Sequence, residues 1–118
     1  MTKKLGEFEI LLLMALLRLK ERAYGAEVHR EIESRTGRSI VMGAVYTGLA
    51  RLEQAGLISS LVGEPTPERG GRRKRFYRVE APGLEATRSA IAGLRRMAKG
   101  IQDQVAWVEP AGEEGGGR

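Results

Sequence analysis

Six cations crowd into ten residues, Arg69, Arg72, Arg73, Lys74, Arg75 and Arg78, with no acidic side chain among them. Guanidinium groups at that density suit phosphate oxygens, which they engage with two N–H groups at a time. The chain carries a formal net charge of +5, so this one stretch holds the whole excess and leaves the remainder slightly negative. A charge so concentrated points to a polyanion such as nucleic acid, and otherwise to a solvated loop, a membrane surface or an acidic protein. Phe76 and Tyr77 lie within the cluster. They could stack on bases, but their place in an alternating run puts at least one of them in a core.

The other residue types that do chemistry are sparse. The chain lacks Cys, which removes disulfides, thiol nucleophiles and thiolate metal sites and fits a reducing compartment. His29 is the only histidine; with Glu33 at i,i+4 it could form half of a metal site, but no further ligands complete the set. Asp103 is the only aspartate, and neither a nucleophile with a partnering base nor a phosphate-cradling Gly loop is visible. At 118 residues there is one domain and no second lobe to close over a substrate. The expectation is a binding protein, not an enzyme, with no cofactor and no metal. The longest apolar run, Ile10 to Leu17, is far short of the roughly 20 residues that span a bilayer. Glu7 and Glu9 interrupt any signal-like pattern ahead of it, so the chain reads as cytoplasmic and unprocessed.

Three helices must position these groups. The first, about Gly6 to Arg22, is apolar almost all round its middle turns and belongs at the centre of a small core. Tyr24-Gly25 breaks the pattern, and a second helix follows from Ala26 to Arg35 with Val28 and Ile32 buried; Thr36-Gly37 ends it. A third helix, about Gly43 to Ala55, turns Val45, Leu49 and Leu52 inward and leaves Gly43, Thr47, Ala50, Arg51 and Gln54 on a small, polar outer face. Leu57 to Val62 and Arg73 to Val79 then read as a hairpin joined by a long basic tip. Three helices and a hairpin form a winged helix-turn-helix, in which the third helix enters the major groove of DNA and the hairpin reaches phosphates or the minor groove. The fold class is thus α+β, mostly α.

From Gly83 the helical period returns. Leu84, Ile91, Ala98 and Val105 repeat every seven residues, as do Thr87, Leu94, Ile101 and Val108. That is a heptad seam on a helix of roughly 37 Å, which overhangs its own domain and calls for a partner helix. Gly93 and Gly100 sit off the seam. Trp107 either closes the end of the seam, the preferred reading, or lines a pocket between dimer helices. The expected organisation is a winged-helix domain over 1–80, a dimerisation helix over 81–108 and a disordered, Gly- and Glu-rich tail over 109–118.

The residues also resemble a known family. Tyr24-Gly25 with Glu27-Val28, Thr36-Gly37, Val45-Tyr46 with Leu49-Ala50-Arg51-Leu52-Glu53, Gly56-Leu57-Ile58, and Gly70-Gly71-Arg72 before Lys74-Arg75-Phe76-Tyr77 are similar to the PadR-type transcriptional regulators. The resemblance covers most of Leu5 to about Ile101. It implies a dimeric winged-helix repressor with a C-terminal dimerisation helix, released from its operator by a small molecule. Where the family pattern has Ser-Pro-Gly-Thr, this chain has Val41-Met42-Gly43-Ala44, without the hydroxyl cap.

The expected DNA-binding set is Gly43, Ala44, Tyr46, Thr47 and Arg51 on the third helix with Arg72, Arg73, Lys74 and Arg75 on the wing. Thr47 can meet a thymine methyl or a base edge, and Arg51 a guanine or, preferentially, a phosphate. Tyr46 either donates its hydroxyl to a phosphate or packs its ring on the second helix. The expected dimer contacts are Leu84, Ile91, Leu94, Ala98, Ile101, Val105 and Val108. The leading function is sequence-specific binding of a double-stranded DNA operator by a homodimer, with a small-molecule effector of unspecified identity. An RNA-binding or general nucleic-acid-binding role is the alternative, and a protein-binding adaptor the next.

Overall fold

The computed structural model describes residues 4–64 and 73–106. The element order is α1 (Glu7–Leu19), α2 (Gly25–Thr36), α3 (Met42–Gln54), β1 (Ile58–Val62), β2 (Arg75–Val79), α4 (Ala81–Ala98) and α5 (Gln102–Val105), with one turn of 3-10 helix at Lys20–Arg22. Among the described residues no helix is long and apolar enough to cross a membrane.

The apolar girth of α1 decides the packing. Ile10, Leu12, Leu13, Ala15, Leu16 and Leu19 are all buried, which a helix covered on one side only cannot achieve. Around it lie Val28 and Ile32 of α2, Val45, Leu49 and Leu52 of α3, Ile58 of β1 and Tyr77 of β2. The inward stripes expected of the second and third helices are thus the observed ones. α2 ends as its sequence requires, with Gly37 at φ 75 donating its amide to the Glu33 carbonyl at 2.9 Å.

The hairpin is antiparallel, pairing Ile58 with Val79 through to Val62 with Arg75. An isolated bridge ties it to the segment between α1 and α2. The Tyr77 amide donates to the Ala23 carbonyl at 2.9 Å, and Tyr24 bridges Phe76. The segment between α1 and α2, which the sequence marks only as a break, therefore anchors the wing to the core.

The C-terminal region corrects one expectation. The single helix expected from Gly83 to Val108 stops at Ala98, and Gly100, at φ 90, turns the chain before α5. Gly adopts that left-handed conformation without a Cβ clash, so the residue expected merely to weaken the helix ends it. Thr87, expected in the second offset of the heptad seam, is buried within its own chain and donates its hydroxyl to the Gly83 carbonyl at 2.8 Å. Leu84, Leu94, Ile101 and Val105 are exposed, as is Ala98, while Ile91 is half-buried. Trp107, Val108 and the tail lie outside the described residues.

α1 and α2 are also tied at their surface, where the Glu31 carboxylate accepts from Arg35 at 2.5 Å and Arg18 at 3.1 Å. The Arg35 hydrogen bond, opposed by desolvation and aided by the charges of Arg35 and Arg18, holds the Glu31 pKa below the usual carboxylate value. A depressed carboxylate contributes stability above its unfolded pKa and loses it as pH falls through the folded value. Glu31→Gln should therefore lower stability at neutral pH by about 0.5 kcal/mol, the scale of a surface ion pair. In thermal melts the difference from the parent should disappear in acid; a difference independent of pH would contradict the pairing.

Candidate nucleic-acid interface

The outer face of α3 is open. Gly43, Thr47, Ala50, Arg51 and Gln54 are exposed and Ala44 is half-buried, while Val45, Gly48, Leu49 and Leu52 fix the opposite face. Gly43, Thr47 and Arg51 stand four residues apart and so form one row along the helix. They line a shallow recess whose far wall is the first turn of α1, with Gly6, Phe8 and Glu9. Both acidic groups of that turn are committed: Glu9 accepts the Gly6 amide at 2.9 Å, and Glu7 accepts from Arg38 at 2.7 Å. Arg51 forms no ion pair or side-chain hydrogen bond among the described residues, leaving its guanidinium free.

Tyr46 meets the second helix, as one of its two expected roles requires. Its ring lies against the first turn of α2, so near that a Cβ placed on Gly25 would sit 2.5 Å from the Tyr46 hydroxyl oxygen. About half of the residue stays exposed. The sequence shows Gly25 as a break in a pattern. Its reason, space for a ring from α3, is a contact over twenty residues of chain that spacing does not reveal.

The wing cations fall into two groups. Lys74 lies with Nζ 4.8 Å from the centroid of Tyr24, and the Tyr24 ring meets Phe76 edge-on at 5.5 Å. The positive charge over the ring face steadies the wing's base against the start of α2. Arg75 donates to the Ser60 hydroxyl at 2.8 Å, and that hydroxyl donates to the Glu53 carboxylate at 2.8 Å. This chain of bonds fastens the wing to the last turn of α3. Arg73, by contrast, is exposed and has no ion pair among the described residues. Arg78 is exposed, 3.9 Å from Glu80. Arg69 and Arg72 lie outside the described residues.

The aromatics are engaged within the protein. Phe76 is half-buried against Tyr24 and Gly63. Tyr77 is in the core, where burial pushes its hydroxyl pKa above the usual phenol value despite the opposing charge of Arg75, so it stays protonated. Base stacking would need their faces free. His29, weighed as half of a metal site, instead bonds the Ile40 carbonyl through Nε2, and no cluster of three or more metal-ligating side chains occurs among the described residues.

Comparison with known proteins gives a consistent frame. The sequence matches the Transcriptional regulator PadR-like family over residues 12–89, more than half of the chain. Among solved structures it is similar to a PadR family transcription regulator from Clostridium difficile, at 22% identity and TM-score 0.67, covering 86% of this chain and 99% of the other. It is also similar to a PadR family transcriptional regulator from Eggerthella lenta, at 25% identity and TM-score 0.62, covering 84% and 86% of the two chains. A transcriptional regulator from Clostridium thermocellum matches at 23% identity and TM-score 0.63, over 80% and 89%. No curated protein matches the sequence.

The contact of Tyr46 with Gly25 can be measured. Gly25→Ala should cost about 1–3 kcal/mol through overpacking. With Tyr46→Ala also present the combined loss should fall clearly below the sum of the two, because the second change removes the obstacle. Additive losses in denaturant titrations would show that the two residues do not meet.

Proposed function

The chain belongs to the PadR-like family of transcriptional regulators and is a DNA-binding regulator; from that premise we propose that it is a dimeric, sequence-specific repressor. The observation that carries the base-reading part is the row of Gly43, Thr47 and Arg51, exposed and unobstructed, on a helix whose other face is locked in the core. A face of small residues admits the close approach that base edges in the major groove demand. Thr47 reads a base edge or thymine methyl, and Arg51 takes a guanine or the adjoining phosphate. Arg73, with Arg72 beside it in sequence, contributes phosphate contacts that add affinity without reading sequence.

Dimerisation is supported by apolar side chains that the single chain leaves uncovered. Leu84, Leu94 and Met97 on α4, Ile101 and Val105 beyond it, and Leu17 on α1 are exposed, and Leu17 and Leu84 share a recess between α1 and α4. A soluble domain of this size does not ordinarily expose so many. Repression, and its relief by a small molecule, rest on the family resemblance.

Binding and oligomeric-state measurements test the reading. The protein should bind its own upstream DNA more tightly than random duplex, single strand or RNA at matched, moderate salt; equal binding to all four would sink it. Thr47→Ala should change preference among operator variants by about 1 kcal/mol per affected base pair. Arg73→Ala should weaken binding to every duplex alike and, in both subunits of a dimer, flatten the plot of log K against log salt by about 2. Light scattering should show a dimer at micromolar concentration, and Leu94→Glu should shift it toward monomer by placing a charge at the contact. A monomeric parent would remove the dimer from the account.

A further inference from the structure

α3 starts without a side-chain cap. Val41 holds the N-cap position in an extended conformation, φ −79 and ψ 143, and forms no side-chain bond to the first turn, which also lacks an acidic residue. A helix begun this way has free amides at its start and nothing local to fix the direction in which the chain enters it.

The chain is gripped one residue earlier. The Ile40 amide donates to Glu33 Oε2 at 2.8 Å, and the Ile40 carbonyl lies 2.5 Å from His29 Nε2. A carbonyl can only accept, so Nε2 carries the proton and is the donor. That proton also removes Nε2 from metal ligation. His29 and Glu33 stand four residues apart on one face of α2, with Nε2 3.5 Å from Glu33 Oε2. Both polar groups of a single backbone residue are thus held from the same helix, on either side of its Cα. The Ile40 side chain packs on the core. Position and rotation of the chain are therefore both set immediately before α3 begins.

We propose that His29 is a positioning residue for DNA reading: with Glu33 it fixes the angle between α2 and α3, and so the pose of Thr47 and Arg51 in the groove, in place of the absent cap. This rests on the reading of α3 as the helix that enters DNA. Among the described residues the grip makes no bond to the wing, so its loss spares contacts made there to phosphates.

Two substitutions separate positioning from bulk. His29→Gln places an amide N–H donor within reach of the Ile40 carbonyl, whereas His29→Leu fills the space and leaves that carbonyl without a donor. Two readouts apply to the full-length protein: residual dipolar couplings of the backbone amides of α2 and α3, and affinity for a duplex that the parent selects from a random-sequence pool, beside a scrambled duplex. For His29→Leu the couplings should no longer fit the parent's interhelix angle, and affinity for the selected duplex should fall about fivefold to tenfold, the scale of one lost hydrogen bond. Affinity for scrambled duplex should change less than about twofold, because phosphate contacts carry no sequence information. His29→Gln should match the parent in both readouts. Unchanged couplings in His29→Leu, or a His29→Gln protein as impaired as His29→Leu, would overturn the proposal. If His29→Leu does not fold, His29→Asn, one methylene too short to reach, supplies the same comparison. Should the parent select no duplex, the DNA-reading function fails, and the couplings alone decide whether His29 sets the angle.

Discussion

A helix that reads a groove can be held only by the face it does not read. For α3, proposed to be such a helix, that face is narrow: Val45, Gly48, Leu49 and Leu52 are its buried residues. Contacts along one stripe resist translation well and rocking poorly, so the ends of the helix must supply the rest. At the start, His29 and Glu33 hold Ile40; at the finish, Glu53 is bonded through Ser60 to Arg75 of the wing. These side chains come from α2 and from the hairpin, and all but Glu53 itself lie off α3, so its outer face stays bare.

The same economy explains the distribution of charge. Six basic residues in ten look equivalent in sequence, yet two of them serve the fold. Lys74 sits over Tyr24 at the start of α2, and Arg75 bonds Ser60 and, through it, Glu53 of α3. Arg73 remains available. In the wing proposed to bind phosphate, Lys74 and Arg75 are anchored where β2 begins, and Arg73, one residue earlier, is exposed.

Much of the fold was legible because it follows from local periodicity. The apolar girth of α1, the stripes of α2 and α3, the Gly37 stop and the alternation that buries Tyr77 all depend on residues within a turn or two of one another. The failures are of two kinds. Helix propensity makes Gly100 only a weak point in a longer helix, whereas its decisive property is tolerance of positive φ at a helix end. The other omissions are contacts between distant segments: Tyr24 with Phe76 and His29 with Ile40. His29 is instructive, since sequence spacing paired it with Glu33 and offered a metal, whereas the backbone between them and α3 supplies the actual partner.

The central claim is that α3 reads the major groove, and chemical interference probes it directly. Methylation at guanine N7 blocks the major groove and at adenine N3 the minor groove, so a selected duplex can be modified at either before binding. Two patches of N7 interference, separated by about 10 base pairs or a multiple of that, are expected from a dimer presenting two α3 helices. Interference confined to adenine N3, or none at either position, would contradict it.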